Sequence, residues 1–262
     1  MIALIAGRGA LPREITANLP VRPLVCAMMG SEPDEVAADL VFRIEQLGSL
    51  LAELKNRGVT EICMAGAVSR PSVDPAAIDG PTLPLVPMLQ TALAKGDDGA
   101  LRAIIMILEE SGFAVRSAHE IAPDLLMAEG VFTKVQPGEL DKPDAARGAQ
   151  VVAAMAAADV GQSCAVRNHQ AIAVENAFGT DWMLQSLVER PDGQGGLLFK
   201  APKPGQDRRA DLPTIGPDTV VAAAAAKLSG IVVEAGGVIV LDRAEVIANC
   251  DRLGLFFWVR AA

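Results

Sequence analysis

An α/β fold in two domains is what this sequence predicts, on three observations. At 262 residues the chain exceeds the ordinary size of one hydrophobic core. Apolar residues make up 51% of it and charged residues 21%, a balance typical of globular proteins and far from that of disordered ones. The apolar content is rich in Ala and Val while aromatics account for only 3%, which suits helices packed closely on a parallel sheet and disfavours a β-sandwich.

The first half alternates strand and helix signals. Ile2–Ala6 is a continuous apolar run ending in Gly7-Arg8-Gly9, followed by a helical stretch over 12–18 and a second apolar run over 23–28 that stops at Gly30. This is a β-loop-α-β opening, the start of a Rossmann-like parallel sheet. Helical periodicity returns over 48–57 and Gly58 ends it; residues 61–65 read as another strand, closing in Gly66-Ala67-Val68-Ser69-Arg70-Pro71. A Pro-rich loop is expected over 71–87. Gly96-Asp97-Asp98-Gly99 then opens an apolar helix over 100–111, and 113–117 is the last strand of this half.

Residues 120–126 read as a connection, and the domain boundary is placed within 126–133, giving domains 1–129 and 130–262. The second domain starts with an Ala-rich helix over 143–158. Strand patterns follow at 163–167, 170–175 and 196–200, with Gly179-Thr180-Asp181 opening a helix over 182–190. Beyond a polar, Pro-rich loop lie a helix over 218–227, strands at 230–234 and 238–242, a final helix, and a strand over 255–259. The expected result is a mixed α/β domain.

A formal net charge of −9 argues against nucleic-acid binding, which needs clustered Lys and Arg on one face. An anionic ligand then requires a local basic pocket. Cys26, Cys63, Cys164 and Cys250 are widely spaced without a C-x-x-C pattern and read as reduced core thiols. No signal-peptide pattern or membrane-spanning run is visible. The expected location is the cytoplasm, with room for peripheral contact at a membrane surface.

Gly7-Arg8-Gly9 after the first strand is a candidate anion site, because glycines let backbone N–H groups approach a phosphate. The dinucleotide fingerprint is incomplete. Pro12 occupies the third glycine position, and no carboxylate closes the second strand, so a plain tight turn remains the competing reading. Gly66-Ala67-Val68 ends another strand, where ligands gather in open α/β sheets. Asp97 and Asp98 are hard oxygen ligands suited to Mg²⁺, or helix caps. From Lys200 to Pro213 the chain carries four cations, two acids and three prolines, a stiff basic loop that fits a polyanion better than bare solvent. Glu175 and Asp181 stand just before it; Asp181 has an alternative as an N-cap. The two histidines, His119 and His169, lack metal or triad spacing.

Taken in order, Ile5-Ala-Gly-Arg-Gly-Ala-Leu-Pro12, Gly66-Ala-Val-Ser-Arg-Pro71, Gly96-Asp-Asp98, Asp159-Val-Gly-Gln162, Val174-Glu-Asn-Ala-Phe-Gly-Thr-Asp181, Lys200-Ala-Pro-Lys-Pro-Gly-Gln-Asp207 and Leu212-Pro-Thr-Ile-Gly-Pro217 resemble the LpxI family of UDP-2,3-diacylglucosamine pyrophosphatases of lipid A biosynthesis. The resemblance implies Mg²⁺-dependent hydrolysis of UDP-2,3-diacylglucosamine to UMP and 2,3-diacylglucosamine 1-phosphate (lipid X), by a homodimer whose substrate lies between the two domains. It implies a substrate-binding N-terminal domain and a catalytic C-terminal one. Substrate-binding positions carried over are Gly7, Arg8, Gly9, Leu11, Gly66, Ala67, Val68, Gln162, Glu175, Thr180, Lys200, Lys203, Gln206, Arg209 and Thr214; Asp98 and Asp181 work near the metal and Asp207 at the phosphates. The resemblance also implies an acid in the helix after Gly216, whereas Val220-Val-Ala-Ala-Ala-Ala-Ala-Lys227 has none. Ala225 is taken as the position of the missing group, which predicts a chain that binds substrate and turns it over slowly. Two other readings stay open: a nucleotide-binding oxidoreductase and a non-catalytic phospholigand-binding protein.

Overall fold

The structure, a computed structural model, describes residues 1–93, 97–191 and 193–261; the side chains of residues 92, 93, 97 and 98 also lie outside that description. The chain divides into two compact units, Met1–Pro123 with Asp207–Asp211, and Asp124–Gln206 with Leu212–Ala262. The basic loop over Lys200–Pro213 is therefore split, since Asp207–Asp211 goes with the first unit while the residues on either side go with the second.

In the first unit β1 (Ile2–Ala6), β2 (Leu24–Met28), β3 (Leu40–Phe42), β4 (Glu61–Ala65) and β5 (Ala114–Arg116) form one sheet in the order β3-β2-β1-β4-β5. Every pairing in it is parallel. Helices α1 (Leu11–Asn18), α2 (Leu47–Asn56), α3 (Val86–Leu93), α4 (Asp97–Glu110) and α5 (Ala118–Ile121) complete the unit. The continuous apolar runs of β1, β2 and β4 bury Leu4, Cys26 and Ile62 completely, as a sheet covered on both faces requires.

Four local expectations are corrected here. β3 was missed: three residues give too little sequence for a period to show. The expected loop over 71–87 holds two 3-10 turns, Pro75–Ala77 and Gly80–Leu85, and then enters α3 at Val86. Pro87 lies in the first turn of α3, where its missing N–H costs no helical hydrogen bond. α4 starts at Asp97 rather than at 100, which puts Asp97 and Asp98 inside its first turn. α5 runs into the connection expected over 120–126, which also holds the 3-10 turn Pro123–Leu125; α5 is opened by a reciprocal capping box between Ser117 and Glu120.

The second unit carries a six-stranded mixed sheet in the order β6-β13-β11-β9-β7-β8. Its strands are β6 (Gly130–Val131), β7 (Ser163–Arg167), β8 (Gln170–Val174), β9 (Leu197–Lys200), β11 (Gly230–Glu234) and β13 (Phe256–Arg260). β10 (Thr214–Ile215) and β12 (Ile239–Val240) pair separately, so the strand expected over 238–242 belongs to this ribbon and not to the main sheet. Helices α6 (Asp141–Ala156), α7 (Gly179–Ser186), α8 (Pro217–Ala225) and α9 (Arg243–Leu253) accompany them. α7 ends at Ser186, four residues before the expected stop, and Asp181 sits within its first turn, so the N-cap reading of Asp181 does not hold.

His169 falls in the β7–β8 hairpin turn, where Asn168 and His169 both have positive φ (50° and 66°). Their N–H groups donate to the buried Asp144 carboxylate at 3.0 and 2.6 Å. That bond explains a histidine in the left-handed region without any chemistry. The four cysteines are free and buried. Burial pushes the thiols up, Cys26 to about 11 and Cys63, Cys164 and Cys250 to about 12, which leaves them unreactive near neutral pH.

Candidate functional site

In the first unit the loops after β1 and β4 are interlocked. Arg8 N–H donates to Ala67 O and Ala67 N–H to Arg8 O, both at 2.9 Å, and Gly7 N–H donates to Ala65 O at 2.8 Å. The approach demands glycine: a Cβ on Gly7 would lie 2.3 Å from Ala67 O, and one on Gly66 would lie 2.7 Å from the Gly7 backbone. Gly9 has φ +91, and a Cβ there would meet nothing within 4 Å. Its N–H donates to Asp34 Oδ2 at 2.7 Å. The Arg8 guanidinium donates to Gly30 O, so the loop after β2 is tied to the loop after β1 at two points. Leu11 is the half-buried first residue of α1, and Val68 is exposed beside Gly7.

These loops occupy a defined place in the topology. In the order β3-β2-β1-β4-β5 the winding direction reverses between β1 and β4, and the crevice outside the strand ends at such a point is where open α/β sheets bind ligands. Two Gly-containing loops reading as weak signals separately are thus one structure.

In the second unit the expected residues converge at the carboxyl end of β9. Lys200 is only 8% exposed, and its ammonium donates to Thr180 Oγ1 at 2.8 Å and to Thr214 O at 2.9 Å. Ser163 Oγ donates to Thr180 Oγ1 at 3.3 Å. Gln162 N–H donates to Glu175 Oε2 at 3.1 Å, and Ala201 N–H to Gln162 O at 3.1 Å. Lys203 forms an ion pair with Asp159, and its N–H donates to the buried Gln206 Oε1 at 3.0 Å. Gln162, Glu175, Thr180, Lys200 and Thr214 are linked in this way around the end of β9, while Lys203, Gln206 and Asp159 form a second hydrogen-bonded set on the loop that follows. Sequence reading missed Ser163 and Asp159, whose parts depend on pairings across the sheet.

Asp207 and Arg209 form a clamp in the first unit. Arg209 Nε and Nη2 grip Asp207 at 3.0 and 2.8 Å, and Nη1 donates to Glu109 Oε1 of α4 at 2.5 Å. The Arg209 fork holds the Asp207 carboxyl below its usual range, and the two carboxylates hold the Arg209 guanidinium firmly charged. Three of its donor nitrogens are thus committed to protein, which assigns Arg209 first to docking the 207–211 segment on α4. Glu109 stands 100 residues away and had no local signal.

Ala225 is the exposed last residue of α8, whose exposed side also bears Asp218 and Val221; Thr219, Val220 and Ala223 are buried. His119 sits on α5, its Nε2 3.3 Å from Ser117 Oγ, and burial with the nearby Arg208 charge lowers its pKa. Asp98 occupies the first turn of α4 with its side chain outside the described residues, as is all of Gly96. Among the described residues no group of three His, Cys, Asp or Glu side chains is placed to hold a metal, and no helix is long and apolar enough to cross a membrane.

Comparison with known proteins finds two adjoining family domains. The sequence model of the LpxI N-terminal domain matches residues 1–125 and that of the LpxI C-terminal domain residues 128–258. A curated relative, the UDP-2,3-diacylglucosamine pyrophosphatase LpxI of Caulobacter vibrioides, is 36% identical over 269 aligned positions, covering 97% of this chain and 95% of the relative. Two adjoining domain matches and an identity that runs the length of both chains place this protein in the LpxI family.

Proposed function

We propose that this chain hydrolyses the pyrophosphate bond of UDP-2,3-diacylglucosamine to UMP and 2,3-diacylglucosamine 1-phosphate, a step of lipid A biosynthesis. The observation that carries the reading is 36% identity along 97% of the chain to an enzyme of that name. In the reaction water adds to one phosphorus, the bridging P–O bond breaks, and the departing phosphate takes the bonding electrons while a proton leaves the water. Charge grows on the phosphate oxygens, so cations and N–H donors held in place before the reaction lower the barrier. Lys200 and Lys203 are the cations proposed for this role, and the contacts to Thr180, Thr214 and Asp159 hold their ammonium groups in place. Gly9 and Arg8 are proposed substrate contacts within the first unit.

Mg²⁺ is the proposed cofactor, bound largely through substrate phosphates, which asks for one or two protein carboxylates and not a full cage; the resemblance assigns that part to Asp98 and Asp181. The chemistry supplied by the bound metal is neutralisation of phosphate charge and polarisation of the phosphorus. Asp207 remains ionised under the Arg209 charge and is assigned to the phosphate end of the site. The two acyl chains favour peripheral contact of a cytoplasmic homodimer with the inner membrane. The test is UMP release from UDP-2,3-diacylglucosamine with Mg²⁺ and with excess chelator. Absence of release under Mg²⁺ would overturn the activity, and undiminished release in chelator would overturn the metal.

A further inference from the structure

We propose that Asp34 is the carboxylate that recognises the ribose of the substrate's nucleoside diphosphate, an inference that rests on the hydrolysis reading above and adds a subsite to it. At the reversal point of a parallel sheet, a nucleotide places its phosphates on the loop after the first strand and its ribose over the end of the second, where an acid accepts the hydroxyls. By sequence that acid is missing, because β2 ends at Met28 and is followed by Met29-Gly30-Ser31. The fold restores it. The loop after β2 turns back so that Asp34, exposed and 25 residues from Gly9, brings Oδ2 to 2.7 Å from Gly9 N–H.

The acids around it have other duties. Glu35 is gripped by Arg13 at 2.9 Å, Glu14 by the same guanidinium at 2.9 Å, and Glu32 accepts from Gly30 N–H at 3.0 Å. Asp34 is the one whose carboxylate accepts from an N–H of the Gly7-Arg8-Gly9 loop. A carboxylate repels phosphate and accepts hydroxyl protons, so the ligand group it selects is a hydroxyl-bearing one, and a vicinal diol matches its two oxygens. When Asp34 takes the ribose hydroxyls, Gly9 N–H is released to the neighbouring phosphate. One side chain thus orders both the sugar and the start of the pyrophosphate.

The probes are UDP and 2′-deoxy-UDP, with affinities measured by calorimetry on the intact chain and on Asp34→Ala and Asp34→Asn. Wild type is expected to bind 2′-deoxy-UDP about tenfold or more weakly than UDP, the scale for a lost hydrogen bond to a charged acceptor. Asp34→Ala should bind UDP about tenfold more weakly and treat the two nucleotides alike within twofold, and Asp34→Asn should keep part of the preference. Equal binding of the two nucleotides by wild type, or full preference surviving in Asp34→Ala, overturns the proposal. So does an equal loss for both nucleotides with a lowered melting temperature, which would make Asp34 a loop cap. Undiminished UMP release beside absent ribose preference sinks this inference alone, whereas ribose preference without UMP release sinks the hydrolysis reading and leaves the subsite standing.

Discussion

Gly7→Ala will cost far more than Gly9→Ala, although both alter the same loop. A Cβ at position 7 meets Ala67 O at 2.3 Å, Ala67 C at 2.7 Å and Val68 Cγ2 at 2.9 Å, against a comfortable separation of about 3.5 Å or more. The loops after β1 and β4 must part by about 1 Å, and the reciprocal Arg8 and Ala67 hydrogen bonds at 2.9 Å lie across that gap. Losing both at about 1 kcal/mol each, with about 1–3 kcal/mol of overpacking strain, gives about 3–5 kcal/mol. Position 9 has nothing within 4 Å and only its φ of +91 to oppose a side chain, a cost of about 1–2 kcal/mol. The assay is urea unfolding of the two variants beside wild type, with UMP release measured in parallel. Gly7→Ala as stable as Gly9→Ala would refute the interlocked-loop argument.

Other consequences can be checked individually. The buried Glu45 carboxyl is held down from 4.5 to about 2, chiefly by Arg43; because its folded value is depressed, its stabilisation is complete above about pH 4.5 and is lost as pH falls towards 2. Unfolding free energies measured across that window should fall in wild type and be flatter in Glu45→Gln. Asp98→Ala should lower Mg²⁺-dependent UMP release by about a hundredfold or more, while a change in melting temperature alone would make it a helix-start acid. Lys203→Ala should raise KM or lower kcat for UDP-2,3-diacylglucosamine, and Arg209→Ala should in addition lower unfolding stability by freeing the 207–211 segment from Glu109. Ala225→Asp should raise turnover by about a hundredfold if α8 lacks a catalytic acid; equal rates would leave the exposed alanine as ordinary helix surface.

The sequence was most informative where one physical pattern decided the outcome. Ile2–Ala6 and Glu61–Ala65 are apolar on both faces, so their strands and the Gly-bearing loops after them were visible residue by residue. Lys200 to Pro213 stands out because prolines and cations together leave few bland explanations. Short elements escaped: β3, β6 and β10 are two or three residues long and exist through the strands beside them. Pro84 and Pro87 made the approach to α3 read as loop, because the residues that make them tolerable are neighbours in space.

By itself, then, the sequence determined the α/β class, the order of the long elements, the two Gly-rich loops and the basic segment, all of which follow from periodicity and composition along a short window. Only the tertiary structure decided that Arg8 and Ala67 bridge, that Asp34 reaches Gly9, that Lys200 is buried on Thr180, and that Arg209 is held by Glu109. Those partners lie 20 to 100 residues apart, and a hydrogen bond leaves no trace in local sequence until the sheet has brought its two ends within 3 Å.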